Sequence, residues 1–339
     1  MVTRKRILVT GATGLVGFEV YDRLRRRDDV TVAGTSRRGS DRMPEIVRWH
    51  LGAQPPPPAL AGRWDVVVNT AADVRWSLSA EQAAQANVDS VRALAPLVSA
   101  DTHVVHVSTA YAGGHRDDVS SADLADYRNS YEWSKAHAER LAADLFPRLT
   151  VVRPALIVGR RTDGRAARFS GMYTLVRGIA TGTVPVIAAD PAARFDLVPV
   201  DRLAELILAA ADDPATAGAV WTLAGGDAAP TVDHAVDVIM SALNGWREAG
   251  GHRPLDVPRV IPPERWHRFF LPFAREHLTE RQNRMLDLLS VYEPYLASTV
   301  PLTATHTVDG VDATLRASVG YWAAANPRLA AMSPVPWRN

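Results

Sequence analysis

The chain of 339 residues contains no cysteine. Disulfides, thiolate nucleophiles and thiolate-bound metals are therefore excluded. No stretch of 18 apolar residues occurs, so no membrane-crossing helix is expected. The basic start, residues 1–6, leads into a short apolar segment and then glycines, which is not the pattern of a secretion signal. A cytoplasmic protein is the expectation. Net charge is nearly nil: 38 Lys and Arg against 37 Asp and Glu leave +1. Such a chain has no overall field to draw it to nucleic acid. Ten histidines are present, but no pair stands at metal spacing beside a carboxylate on the same helix, so no metal is expected. What is there is ordinary globular material, 47% hydrophobic and 22% charged. It suffices for one large or two modest domains.

Short apolar runs alternate with helical patterns along the first half. Residues 6–10 (RILVT), 30–34, 48–51, 65–69 (DVVVN), 103–107 and 149–153 read as strands. Residues 15–27, 80–99 (with a break near Pro96) and 131–145 read as helices. Four consecutive prolines stiffen 54–59. Strand–helix alternation predicts an α/β fold, a Rossmann-type doubly wound parallel sheet. After Gly159 the pattern changes. A basic loop, 160–168, precedes a helical stretch at 169–181. Strands are expected at 196–200 and 220–223, with a helix capped by Asp201 between them. The expected organisation is a dinucleotide-binding domain over 1–160, continued by 195–225. A smaller, mostly C-terminal substrate-binding lobe takes 160–195 and 225–330, and a loose tail 331–339.

Gly11-Ala12-Thr13-Gly14-Leu15-Val16-Gly17 lies between the first strand and the first helix. Gly11 permits the tight turn, Gly14 lets backbone approach a pyrophosphate, and Gly17 lets helix pack on strand. Helix N-terminal amides then face the negative charge. The second strand ends in Ser36-Arg37-Arg38, with no Asp or Glu for a ribose 2′-hydroxyl. Two arginines suit a 2′-phosphate, so NADPH is expected ahead of NADH.

Tyr131 and Lys135, at i and i+4, share a helix face. An ammonium beside a phenol lowers the phenol's pKa from about 10, as a general acid or base near neutral pH requires. Thr109, after the 103–107 strand, falls at the carboxyl edge of the sheet and can hydrogen-bond a reacting oxygen; Ser108 is the alternate.

On these segments the chain resembles the extended short-chain dehydrogenases/reductases. It is most similar to their fatty acyl-CoA reductase and thioester reductase branch, the male sterility type. The matching stretches are VTGATGLVG (9–17), NTAADVRW (69–76), Asn87-Val88, HVSTAYAGG (106–114), NSYEWSKAHAE (129–139) and VVRPALIVG (151–159). The resemblance covers about residues 5–225. It implies that Gly11, Thr13, Gly14 and Val16, within the loop that includes Leu15 and Gly17, hold the pyrophosphate. Ala71 and Ala72, with Asn87 nearby, lie along the cofactor; Lys135 bonds the nicotinamide ribose and tunes Tyr131; Pro154 and Ile157 border the carboxamide. Thr109 and Tyr131 polarise a substrate carbonyl. Two departures stand out. Thr70 occupies a position where acyl reductases carry His, and His50-Leu51-Gly52 replaces the acid that meets adenine.

The implied activity is NADPH-dependent reduction of a ketone, aldehyde or acyl thioester, free or carrier-bound, with homodimers formed through two helices on one sheet face. Two alternatives share the scaffold. One is a sugar-nucleotide epimerase or dehydratase holding NAD tightly; the other is a nucleotide-sensing regulator without chemistry. The 160–168 arginines suit a phosphate or acidic carrier, or simply solvent. Apolar positions at 169–176 and the aromatics at 266–273 suit an apolar pocket or core packing.

Overall fold

A computed structural model describes residues 4–184 and 186–334, without the side chains at 281, 285, 288 and 289. The expected tail therefore lies outside the described residues from 335 onward. Two compact units divide the chain. The first holds residues up to Ala155, Val200–Leu223 and Ala304–His306; the second holds Leu156–Pro199, Ala224–Thr303 and the segment from Thr307.

In the first unit, β1 (Lys5–Thr10), β2 (Val30–Ser36), β3 (Val47–Arg48), β4 (Val66–Asn69), β5 (His103–Val107) and β6 (Leu149–Pro154) follow in order, with helices between β1 and β2, β4 and β5, and β5 and β6. With β10 (Val220–Ala224) and β12 (His306–Thr307) they make an eight-stranded sheet of order β12-β10-β6-β5-β4-β1-β2-β3. β1 runs parallel to β2 and β4, β4 to β5, β5 to β6, and β6 to β10. The order reverses between β1 and β4. Their carboxyl ends therefore part there and open the crevice where such sheets bind ligands. The strand centres are mostly Val, Ile and Leu because helices cover both faces. Leu8, Val67, Val104 and Val151 pack with Trp49, Leu60 and Trp64 on one side, all buried. The proline run ends in a short turn, Pro58–Leu60, that delivers Leu60 to this core.

Three helical segments matter for the site. α1 (Leu15–Leu24) follows the glycine loop. α2 is the stretch Ala80–Ala83, Ala84–Val88, Asp89–Arg92, whose middle part is a π turn. It stops at Arg92, and a separate turn, Ala95–Leu97, carries Pro96. The break expected near Pro96 in the 80–99 helix thus falls between Arg92 and Ala95. α3 (Ser130–Leu145) is capped by Asn129, whose side chain accepts from the Glu132 amide.

The second unit contains β7 (Leu156–Val158) paired with β9 (Leu197–Pro199), and β8 (Val186–Ala188) paired with β11 (Arg259–Ile261), both parallel. Its longest helices are Val232–Ala249 and Val311–Ala325, which pack on each other. A recess is lined by Met172, Leu175, Val186, Phe195, Trp266 and Leu296, with Ser290 and Tyr292 as its polar members. Trp266 and Met172 are buried there, whereas Phe269 and Phe273 are exposed. The apolar helix face and the aromatic segment therefore meet at Met172, Leu175 and Trp266 rather than along their whole lengths. In the first unit, the helix Val200–Asp212 begins before Asp201. Asp201 sits in its first turn, where a carboxylate favours the helix dipole, and does not cap it. Among the described residues no helix is long and apolar enough to cross a membrane.

Candidate active site

The glycine loop closes on itself at the end of β1. Gly11 adopts a left-handed φ of 69°, and the Gly14 amide donates to the Gly11 carbonyl at 2.8 Å. A Cβ on Gly17 would stand 2.2 Å from the Gly11 carbonyl oxygen and 2.5 Å from Thr70 Oγ1. Thr70 in turn donates to the Thr10 carbonyl at 2.6 Å. The loop is thus packed from behind by the end of β4, and only glycine fits at 17. Gly14 caps α1 without any side-chain acceptor, and the first turn holds no acid. The amides of Leu15, Val16 and Gly17 are left to a ligand of negative charge.

Beside the loop, the main chain of Ala71 lies 3.0 Å from the Cβ position at Gly11, so Ala71 borders the turn. Ala72 beyond it is exposed. Asn87, on the π turn of α2, uses its side-chain amide on protein. Its oxygen accepts from the Asp73 amide at 2.8 Å. Its nitrogen donates to the Asp73 carbonyl at 3.1 Å and to Ser134 Oγ at 2.9 Å. Asn87 therefore fixes the 71–73 segment against α3. At the end of β2, Ser36 is buried and donates to the Gly39 carbonyl at 2.9 Å, while Arg37 and Arg38 face solvent. Asp73 is held below the usual carboxylate range first by the Arg75 hydrogen bond, with the Arg37 charge adding to it. The Arg37 charge is thus felt at the same sheet edge.

Thr109, Tyr131 and Lys135 converge. Thr109 is buried just past β5, and its hydroxyl is hydrogen-bonded to Tyr131. The ring of Tyr131 is half-buried, but its hydroxyl is enclosed. Burial pushes that phenol up to about 12, Glu132 adds to the rise, and the Thr109 hydrogen bond partly opposes it. Lys135 is buried and donates to the Val107 carbonyl at 2.8 Å. Burial brings its ammonium down to about 8 against a smaller upward pull from Glu139. The tuning is thus not the one expected from spacing alone. Lys135 turns to main chain, and Tyr131 keeps its proton, because desolvation outweighs the charge four residues away. Pro154 ends β6, where its carbonyl accepts from the Ala110 amide at 2.8 Å, adjacent to Thr109. Ile157 lies on β7 in the second unit.

Beneath this edge, Asn69 bridges Thr10 Oγ1 at 2.6 Å and His106 Nδ1 at 3.1 Å. Burial, reinforced by the Lys135 charge, holds His106 well below the usual imidazole range, so it is neutral. Asn69, Ser134 and Glu139 were not singled out by sequence reasoning, and Thr70 only as a departure from the family pattern. Glu139 alone carried a local cue, since it continues the i+4 series of Tyr131 and Lys135.

The Lys135 shift also has a consequence for stability. Its folded pKa lies below 10.5, so between about pH 8 and 10.5 the unfolded chain binds more protons. This group therefore makes the fold more stable as pH rises through that window. Lys135→Met is expected to abolish that rise, measured by urea unfolding at several pH values. An unchanged slope would count against the buried ammonium.

The sheet order and the glycine loop at the β1–β4 switch define a doubly wound, Rossmann-type fold, and the Thr–Tyr–Lys set lies at the same sheet edge. Residues 58–207 match the family described as Male sterility protein. Among curated proteins it is similar to Fatty acyl-CoA reductase 1 of Gallus gallus, 27% identical over 184 residues. The alignment spans 43% of this chain and 36% of that protein. Among solved structures it is similar to the terminal R domain from the myxalamid PKS-NRPS biosynthetic pathway. That match has a TM-score of 0.72 and 20% identity, covering 98% of this chain and 93% of that one. A UDP-glucuronic acid 4-epimerase from Bacillus cereus, in complex with NAD, matches at TM-score 0.59 and 16% identity, covering 94% and 99%.

Proposed function

We propose that this chain is an NADPH-dependent reductase of an acyl thioester or related carbonyl compound. The observation that carries the reading is the hydrogen-bonded pair of Thr109 and Tyr131 beside Lys135, at the edge that also holds the glycine cradle. The residues present fit a dinucleotide: the Gly17 position admits no side chain, and the first amides of α1 have no side-chain acceptor. Gly11, Thr13, Gly14, Leu15, Val16 and Gly17 would hold the pyrophosphate. Ser36, Arg37 and Arg38 would hold the 2′-phosphate end, and Ala71, Ala72, Lys135 and Pro154 the ribose and nicotinamide. When bound, the reduced nicotinamide supplies hydride to carbonyl carbon.

The protein's own part is proton management. Tyr131, raised to about 12, remains a phenol across the physiological range and can give its proton to the carbonyl oxygen. Thr109 orients that oxygen. With a thioester, collapse of the reduced adduct expels the thiol and leaves an aldehyde. The thioester class is supported by the name of the Gallus gallus relative and the biosynthetic setting of the R domain. The epimerase likeness supports a second reading, in which NAD is retained and recycled. A phenol that is protonated at neutral pH is in the form that donation to a carbonyl oxygen requires, which fits the reductase reading.

The reading is tested by following NADPH absorbance with purified protein and acyl-CoA thioesters of graded chain length. Thioester-dependent oxidation is expected. NAD retained through purification, with no turnover on thioesters, ketones or aldehydes, would instead support the epimerase reading. Nucleotide choice is tested at the β2 end. The pair Arg37→Ala and Arg38→Ala is expected to weaken NADPH binding about 10–100-fold, the worth of charge-assisted hydrogen bonds, and to leave NADH unchanged. Equal losses for both nucleotides would remove the arginines from phosphate recognition.

A further inference from the structure

Three successive residues at the end of β5 are each bonded by one residue of α3, four positions apart. Lys135 donates to the Val107 carbonyl at 2.8 Å. The Ser108 hydroxyl donates to Glu139. Thr109 bonds Tyr131. Glu139 also receives Arg153 of β6 through Nε at 3.1 Å and Nη2 at 2.6 Å. The carboxylate is 4% exposed, deep for a group that Tyr–Lys chemistry does not require. Burying such a charge is costly, so a carboxylate held there must be repaid by its contacts.

We propose that Glu139 is a positioning residue: it locks the carboxyl ends of β5 and β6 to α3, so that Thr109 meets Tyr131, and it supplies the counter-charge for Lys135. Its catalytic consequence rests on the reductase reading, but its electrostatic consequence does not. The titratable groups facing Lys135 are few. Tyr131 and Glu139 lie on its own helix, His106 comes from β5 and is neutral, and Arg153 from β6 is already engaged by Glu139. From α2 the contact to α3 is the uncharged Asn87–Ser134 pair.

The sequence has only two lysines, Lys5 and Lys135. Carbon-13 labelling at the lysine ε-carbon thus gives two NMR resonances, and Lys5→Arg assigns them. In the full chain, Glu139→Gln is expected to move the Lys135 titration down by about one pH unit or more, with Lys5 unmoved. The alkaline limb of turnover should move with it. Arg153→Met, which frees Glu139 from its competitor, is expected to move Lys135 upward. Opposite shifts in the two variants support the proposal. A Lys135 titration unmoved in both, or moving together with Lys5, overturns it. Wild-type protein that reduces no carbonyl substrate, while Lys135 still shifts in opposite directions, defeats the reductase reading and leaves Glu139 in its role.

Discussion

Tyr131→Phe is expected to lower turnover about 10²–10⁴-fold while leaving NADPH affinity nearly unchanged. The ring stays, so the packing of α3 against β5 stays with it. Only the hydroxyl that bonds Thr109 is lost. Among the described neighbours, Ser108 is committed to Glu139, Lys135 to the Val107 carbonyl, and His106 is neutral and tied to Asn69, while Thr109 is an aliphatic alcohol and a far weaker acid than the phenol it would replace. Because the phenol holds its proton to about 12, its own ionisation does not set the alkaline limit. The fall in activity at high pH should instead follow the Lys135 ammonium, near 8. Steady-state rates with a thioester substrate, together with NADPH fluorescence titration, check both statements. Variant turnover close to wild type would remove Tyr131 from the chemistry.

The second large effect concerns the cradle. Gly17→Ala is expected to abolish measurable dinucleotide binding and to cost about 1–3 kcal/mol of stability, the usual range for overpacking. The added methyl would meet the Gly11 carbonyl oxygen at 2.2 Å, the Gly11 carbonyl carbon at 2.7 Å and Thr70 Oγ1 at 2.5 Å. Two of these atoms are main chain at the turn itself, so relief requires moving the very amides that would face the pyrophosphate. By contrast, alanine at Gly218 would meet nothing within 4 Å but must accept a φ of 92°. That variant should lose stability with dinucleotide affinity intact, which makes it the control. Urea unfolding and fluorescence titration separate the two. Gly17→Ala that binds NADPH as the wild type does would sink the cradle assignment.

Much of the architecture was legible because it is local. The 103–107 strand and the start of β2 follow from apolar runs bounded by turn residues, and the helix read over 131–145 is α3, which starts one residue earlier behind the Asn129 cap. The π turn in α2 was not legible. It is a one-residue widening of an ordinary helical sequence, and it presents Asn87 to Asp73 and Ser134. The 48–51 segment offered only a short apolar pattern. Its ladder ends after Val47–Arg48, and Trp49 instead enters the core, donating to the Gln54 carbonyl at 3.1 Å. Glu139 was legible as a helix position but not as a ligand of Ser108 and Arg153, since neither partner is near it in sequence.

The sequence by itself determined the alternation that makes a doubly wound sheet, the glycines that only a tight strand-to-helix turn uses, and the four-residue spacing that puts Tyr131 and Lys135 on one helix face. These depend on backbone geometry within a few residues. Tertiary structure alone decided what those groups do. It set Thr109 against Tyr131, turned Lys135 to the Val107 carbonyl, placed Glu139 under both strand ends, and lifted the phenol while lowering the ammonium. Such outcomes depend on desolvation and on contacts between segments far apart in the chain, and both exist only once the helices have closed over the sheet.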